Sequence, residues 1–184
     1  MPDWNERYRR GEYVNYEPAP LLLQAAAELT PGRALDVACG AGRHAAWLAR
    51  GGWQVTGVDA SEAGIELARA RNAQVDWRVA DLERGEFVLE PNTYDLICVF
   101  YYLQRDLFPH LRAALKTGGA FIAAIHTTDA APDAKRMNPA FLLAPGELRE
   151  LFHDWRITHY QESANREDGH HRSTAEIVAT KTHE

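Results

Sequence analysis

The sequence predicts an α/β protein with a doubly wound, mostly parallel seven-stranded sheet that ends in an antiparallel hairpin. Over the first two thirds of the chain, short apolar segments alternate with helix-forming segments, which is typical of parallel strands joined by crossover helices. A glycine-containing turn follows the first of these strands, as in ligand-binding sheets of this type. The last two strand-like segments are separated only by a turn-rich stretch, which is too short for a crossover helix.

Hydrophobic periodicity and helix-capping residues predict the individual elements. The predicted strands are residues 33–38, 53–58, 75–79, 94–100, 120–126, 155–161 and 174–181. The predicted helices are residues 3–10, 21–29, 43–50, 61–71, 107–116 and 145–152, with Asp3 and Ser61 as N-caps.

Length and composition indicate a single domain over residues 1–184. Hydrophobic residues make up 46% and charged residues 25%, the balance of a globular domain. The net charge of −6 does not attract a phosphate backbone, so we expect no nucleic-acid partner. The two cysteines, Cys39 and Cys98, give neither a disulfide framework nor a zinc spacing, and no metal site is expected. Because the longest apolar run is far shorter than the ~20 residues of a membrane span, we expect a soluble cytoplasmic protein.

Residues 35–43, LDVACGAGR, predict a strand that runs through a glycine turn into a helix. Gly40 and Gly42 permit backbone angles barred to other residues and let a ligand lie against the main chain. The following helix adds free N–H groups and the positive end of its dipole. The alternative for two glycines alone is a tight turn that binds nothing.

Three aspartates accompany this turn, one on each of three successive predicted strands. Asp36 is an acid inside an apolar strand, where a carboxylate is costly unless something pairs with it. Asp59 ends the second strand, about where a carboxylate reaches ribose hydroxyls in such folds. Asp81 ends the third strand. Together they indicate a ligand-binding edge of the sheet.

The same turn also satisfies the dinucleotide fingerprint through Gly40, Gly42 and Ala45, so an oxidoreductase stays an alternative. Asp36 argues against it, because a carboxylate before the glycines would repel a pyrophosphate in a dry pocket. S-adenosylmethionine (SAM) has an ammonium group, a ribose and an adenine but no phosphate. The acidic site therefore fits SAM better.

These motifs resemble the class I SAM-dependent methyltransferases over nearly the whole chain. The resemblance lies in LDVACGAGRHAAWLARGGWQVTGVDAS, VADLE, YDLICVFYYL and LKTGGAFIAAI, in this order. The early WNERYRRGEYVNYEPAP and the late FLLAPGELRELFHDWRITHYQES are similar to the small tellurite-resistance and thiopurine-type branch. The resemblance implies a Rossmann-like methyltransferase fold, SAM as cofactor, and transfer of methyl to a small molecule, with a thiol or a chalcogen oxyanion such as tellurite or selenite favoured.

The resemblance also implies a set of cofactor contacts along the ends of the strands. These are Asp36 at the ammonium, Gly40 and Gly42 around the methionine part, Asp59 at the ribose, Asp81 at the adenine amino group, the Leu82 N–H at a ring nitrogen, and Phe100 beneath the sulfonium with Tyr101 beside it.

The candidates for handling the acceptor are Tyr101, His126 and Arg172. Tyr101 and Tyr102 are adjacent at a strand end, so one is expected to face the pocket and the other to pack; core packing is the alternative for either. His126 ends the fifth strand and is a candidate to orient or deprotonate a substrate, or else a surface residue bonded to backbone.

A second candidate group lies between the last two strands. Arg166, His170 and Arg172 are candidates for clamping an anion, and a solvated hairpin tip is the alternative. His170 and His171 are not expected to hold a metal, because adjacent strand positions point apart.

The first thirty residues are expected to cover the pocket as a lid or as an extension packed on the sheet edge. Tyr8, Arg9, Tyr13 and Tyr16 give this segment an aromatic and basic character.

Two further alternatives remain for the whole chain: a SAM-binding protein without activity, and a nucleic-acid methyltransferase. The negative net charge disfavours a nucleic-acid methyltransferase. So does the sequence FYYL after the fourth predicted strand, because such enzymes have an NPPY-like stretch there.

Overall fold

The computed structural model describes residues 3–128, 138–163 and 173–183. Across these ranges seven strands form one sheet in the order β3-β2-β1-β4-β5-β7-β6. The strands are β1 (Arg33–Val37), β2 (Gln54–Asp59), β3 (Asp76–Val79), β4 (Tyr94–Phe100), β5 (Leu115–His126), β6 (Arg156–Ser163) and β7 (Thr174–Thr180). Strands β1 to β5 are parallel, and β7 is antiparallel to both β5 and β6. The predicted doubly wound sheet with a closing hairpin is confirmed.

Helices cover both faces of this sheet. They include α1 (Trp4–Arg9), α2 (Pro20–Ala27), α3 (Arg43–Arg50), α4 (Glu62–Arg71), α5 (Phe108–Ala114) and α6 (Glu147–Glu150). Two hydrophobic core clusters lie on the two faces of the sheet. One contains residues of α2, α3 and α4 together with Cys98 of β4, and the other contains residues of α5 and α6 together with Val99 of β4. Successive residues of β4 thus serve opposite cores, which explains why this strand is continuously apolar.

The predicted N-caps form as expected. The Asp3 carboxylate accepts from the Glu6 N–H, and the Ser61 hydroxyl accepts from the Gly64 N–H at the start of α4. None of the described helices is long and apolar enough to cross a bilayer.

The largest differences from the predicted element boundaries lie in β5, α5 and α6. Strand β5 begins at Leu115 rather than at 120, and α5 accordingly ends at Ala114, because Leu115 already pairs with Tyr94 across a bulge. Helix α6 is shorter than the predicted 145–152. Its N-cap, Gly146, has a φ of 78°, a left-handed conformation that cannot continue a right-handed helix.

Parallel pairing brings the carboxyl ends of β1 to β5 to one edge of the sheet. Four connections meet there: the glycine turn after β1, the end of β2 at Asp59, the 80–82 segment after β3, and the 101–103 segment after β4. This edge is where doubly wound sheets bind their ligands.

Candidate active site

A cavity of about 270 Å³ lies at this edge. Its walls come from the glycine turn and the first turn of α3, from the ends of β2 and β4, from residues 80–83, and from the N-terminal segment. The surface is mainly apolar, and its charged residues are the acids Asp59, Asp81 and Glu83 and the basic Arg43. Such a mixture of an apolar surface and a few polar groups is typical of sites for small molecules.

The glycine turn has an unusual backbone. Ala38, Gly40 and Gly42 have φ angles of 53°, 54° and 76°, so alternate residues lie in the left-handed region. Gly40 lines the cavity, and a Cβ there would overlap the Tyr8 hydroxyl. Gly42 instead faces the interior, where a Cβ would overlap the Trp77 ring, and it is not among the described residues that line the cavity. The two glycines therefore have different reasons to lack a side chain.

Asp59 lies beside this turn and lines the cavity. Its carboxylate accepts hydrogen bonds from the Gly40 N–H at 2.7 Å and the Ser61 N–H at 2.8 Å. Burial raises the pKa of Asp59, and these two N–H donors oppose that rise. The sequence prediction that an acid ends β2 beside the glycine turn is confirmed.

Asp36 lies elsewhere than expected. It is 1% exposed and is not among the described residues that line the cavity. One of its oxygens accepts from the Ala45 N–H at 3.0 Å, and the other is 3.5 Å from the Cys98 thiol. Burial raises its pKa to about 7. The expected direct contact between Asp36 and an ammonium group is therefore not supported by the geometry: Asp36 fastens α3 to β1 behind the turn.

The third acid, Asp81, lies two residues beyond the end of β3 and lines the cavity together with Leu82. Its carboxylate caps a short 3-10 turn by accepting from the Glu83 N–H at 3.0 Å, and Arg84 lies 3.3 Å away. Leu82 is buried. The acids of the second and third strands thus come together at the cavity, whereas the acid of the first strand does not.

Phe100, Tyr101 and Tyr102 all line the cavity at the end of β4. The expectation that only one tyrosine faces the pocket is wrong, because Tyr101 has a φ of 60° and the chain leaves the strand alternation there. The Tyr102 hydroxyl donates to the Gln104 side-chain oxygen at 2.7 Å. The Arg43 guanidinium lies 5.7 Å from the centre of the Tyr101 ring, within the range of a cation–π contact.

His126 is buried rather than exposed, which corrects the surface alternative. It is 8% exposed, and its ring centre lies 5.1 Å from that of Tyr101. His126 is not among the described residues that line the cavity, so it contacts the site from behind Tyr101. Arg166, His170, His171 and Arg172 lie outside the described residues.

The N-terminal segment forms one wall of the cavity through Trp4, Tyr8, Tyr13 and Asn15. Helix α1 is held on α4 by Asn5, whose side-chain oxygen accepts from the Ser61 hydroxyl at 2.9 Å and from the Ala63 N–H at 3.0 Å. That this segment opens and closes as a lid stays a prediction.

Sequence reasoning missed His44, in the first turn of α3. Its ring lines the cavity and packs on Phe100 with a centre-to-centre distance of 4.1 Å. The residue is 4% exposed, and its Nε2 has no hydrogen-bond partner among the described residues. Burial, with the Arg43 charge, lowers the pKa of His44 well below its usual value, so the ring is neutral at pH 7. Nothing in the local sequence distinguishes this histidine from a core residue.

The fold and the site define a class of protein. Residues 34–119 match a family model described as a methyltransferase domain. This match and the relatives below make the chain similar to the class I SAM-dependent methyltransferases, and the positions of the turn, Asp59 and Asp81 agree with that similarity.

The chain is similar to particular members of that class. It is 28% identical to a probable SAM-dependent methyltransferase, TehB, of Haemophilus influenzae, over 77% of this chain and 52% of the relative. The crystal structure of TehB from Haemophilus influenzae superposes with a TM-score of 0.76 at 21% identity, over 97% of this chain and 67% of that one. A Burkholderia thailandensis 1,6-didemethyltoxoflavin-N1-methyltransferase, solved with its substrate and S-adenosylhomocysteine, gives 0.72 at 20% identity, over 98% and 86%. The chain spans about half the length of the curated relatives it matches first.

Proposed function

We propose that the chain transfers a methyl group from SAM to a small-molecule acceptor in the cavity described above. The observation that supports this most directly is the Asp59 carboxylate beside the Gly40 main chain, both lining one cavity. An acid beside an exposed glycine backbone suits a ribose and an amino-acid tail without phosphate. An acid at the end of β2 also fits the ribose of a dinucleotide, so a comparison of SAM with NADH decides between the two ligands.

The residues present fit SAM along the order of the strands. Asp81 and Leu82 after β3 suit the adenine, Asp59 at the end of β2 suits the ribose hydroxyls, and Phe100 at the end of β4 suits the sulfonium. Neighbouring strands are ~4.8 Å apart, so these positions span the length of a nucleoside. SAM supplies, when bound, a methyl group on a positively charged sulfur; the acceptor–methyl bond forms as the sulfur–methyl bond breaks.

The protein's contribution is alignment, exclusion of water and, for some acceptors, removal of a proton. Holding the reacting atoms ~3 Å apart supplies much of the acceleration. We expect the Trp4 and Tyr8 wall to limit the entry of water when ligands are bound. Tyr101, backed by His126, is the candidate to orient the acceptor. Arg172, outside the described residues, stays a candidate for binding an anionic acceptor.

Among acceptors, a thiol or a chalcogen oxyanion such as selenite or tellurite is favoured. A thiolate or an oxyanion is already a nucleophile and needs little proton removal, whereas a hydroxyl or amine would need a general base. The similarity to TehB supports the same direction.

Purified protein, SAM carrying a deuterated methyl group, and a panel of thiols, selenite, tellurite and phenols test this proposal. Mass spectrometry is expected to find deuterated methyl on a thiol or a chalcogen product, with S-adenosylhomocysteine formed in equal amount. Tight SAM binding without any methylated product would favour the SAM-binding protein without activity. Transfer to RNA or DNA instead would favour the nucleic-acid enzyme.

A further inference from the structure

The amino-acid end of the cofactor needs a partner for its ammonium group, and Asp36 is not available for it. Both oxygens of Asp36 are engaged by the Ala45 N–H and the Cys98 thiol, and the residue is buried behind the turn. An ammonium buried without an acceptor is strongly unfavourable. It therefore needs acceptors that line the cavity, from the main chain of the turn or from a side chain near the first turn of α3.

His44 has the position and the chemistry for this. It lies in that first turn, lines the cavity, and rests on Phe100, which is next to the expected place of the sulfonium. Its Nε2 is buried with no partner among the described residues, an unfavourable arrangement that a hydrogen-bond donor on a ligand would relieve. A neutral imidazole offers one lone pair, which accepts from an ammonium without charge repulsion.

The neighbouring residue completes the recognition of a zwitterion. Arg43 also lines the cavity, and its guanidinium donates to the Glu17 carbonyl at 3.2 Å and lies over the Tyr101 ring. The guanidinium has further N–H donors besides the one bonded to Glu17, and it lies at the positive end of the α3 dipole. Both properties suit the binding of a carboxylate. The two adjacent side chains thus offer one cationic donor and one neutral acceptor.

We propose that His44 accepts a hydrogen bond from the ammonium group of SAM, while Arg43 binds the carboxylate of the same amino-acid end. This inference rests on the proposed function and assigns His44 as a cofactor-binding residue. Replacing His44 is therefore expected to weaken binding only of ligands that contain the amino-acid part. S-adenosylhomocysteine contains that part, and 5′-methylthioadenosine lacks it while keeping the adenine, the ribose and the sulfur.

Calorimetric titration of both ligands into the unmodified protein and three variants tests the inference. The His44→Phe variant keeps a ring on Phe100 but has no nitrogen, and it is expected to bind S-adenosylhomocysteine about tenfold or more weakly. Its affinity for 5′-methylthioadenosine is expected to change less than twofold. The His44→Gln variant, which keeps a polar acceptor, is expected to recover part of the loss. His110→Gln, an exposed histidine on α5, is the matched control.

The outcomes separate the two proposals. An equal loss for both ligands, or no loss for either, overturns the role of His44 while leaving the methyltransferase intact. Binding of neither ligand by the unmodified protein overturns the proposed function, and the role of His44 with it. Thermal melts of each variant check that it is folded, and His44→Gln provides the same comparison if His44→Phe does not fold.

Discussion

The Asp59 carboxylate accepts a hydrogen bond from the Gly40 N–H at 2.7 Å, which ties the end of β2 to the turn after β1. Its other oxygen accepts from the Ser61 N–H at the entrance to α4. One side chain thus fixes the backbone of the turn and presents a negative charge to the cavity. The two tasks explain why an acid occupies this half-buried position despite the cost of removing its charge from water.

Replacement of Asp59 by asparagine is expected to weaken binding of S-adenosylhomocysteine by about 10- to 100-fold. That range corresponds to losing a hydrogen bond to a charged group. Calorimetric titration measures it, with Asp76→Asn, an exposed acid at the start of β3, as the control. Binding by Asp59→Asn within twofold of the unmodified protein would mean that the ribose lies elsewhere.

Replacement of Asp36 by asparagine is expected to change the pH dependence of stability. Burial raises the pKa of Asp36 to about 7 in the folded protein, whereas a carboxyl in the unfolded chain titrates near ~3.9. Between these values the folded state binds more protons than the unfolded state, so this group lowers stability as pH rises. The free energy of unfolding of Asp36→Asn, relative to the unmodified protein, is therefore expected to rise from about pH 5 to about pH 8.

Urea unfolding at several pH values measures this difference. Comparing the two proteins at each pH cancels the contributions of other groups, such as Asp95 and Glu147, whose pKa values are lowered by Lys116 and Arg105 among other partners. A difference that stays constant across the range would show that Asp36 titrates alike in the folded and unfolded states.

The two glycines of the turn are expected to respond differently to alanine. Gly42→Ala combines a left-handed φ with overlap on the Trp77 ring and a 2.9 Å approach to the Ala68 Cβ, so it is expected to cost about 2–5 kcal/mol of stability. Gly40→Ala meets only the end of the Tyr8 side chain, which can move, and is expected to cost about 1–2 kcal/mol. Urea unfolding distinguishes them, and a larger loss at Gly40 would contradict the assignment of Gly42 to the interior.

Helix α1 is expected to loosen when Asn5 is replaced by alanine. The substitution removes the acceptor for the Ser61 hydroxyl and the Ala63 N–H, at a cost of about 1 kcal/mol. Limited proteolysis is expected to cleave the first twenty residues about fivefold faster, and S-adenosylhomocysteine to restore protection. Glu12→Ala, exposed in the same segment, is the control. If the ligand protected neither protein, the lid interpretation would fail.

Much of the fold was predictable because periodicity and turn residues determine it locally. The acid at the end of β2 was found because parallel strands bring their carboxyl ends together, and the glycine turn marked the edge. The direction of Asp36 was not predictable, since alternation along a strand does not tell which face looks toward a ligand. Because Asp36 lies behind the turn, it does not exclude a pyrophosphate there, and the comparison with NADH below decides between the two ligands.

Two further features depend on tertiary structure. The φ of 60° at Tyr101, which brings both tyrosines to the cavity, has no signal in a run of aromatic residues. The burial of His44 depends on Phe100, which is more than fifty residues away along the chain. Such contacts between distant segments leave no local pattern in a single sequence.

The turn and the acids that follow β2 and β3 are proposed to bind a nucleoside without phosphate. Thermal melting with SAM, S-adenosylhomocysteine and NADH, each at the same concentration in large excess over the protein, tests this directly. We expect SAM and S-adenosylhomocysteine to raise the melting temperature, NADH not to raise it, and the rise to be lost in Asp59→Asn. Stabilisation by NADH alone would contradict it.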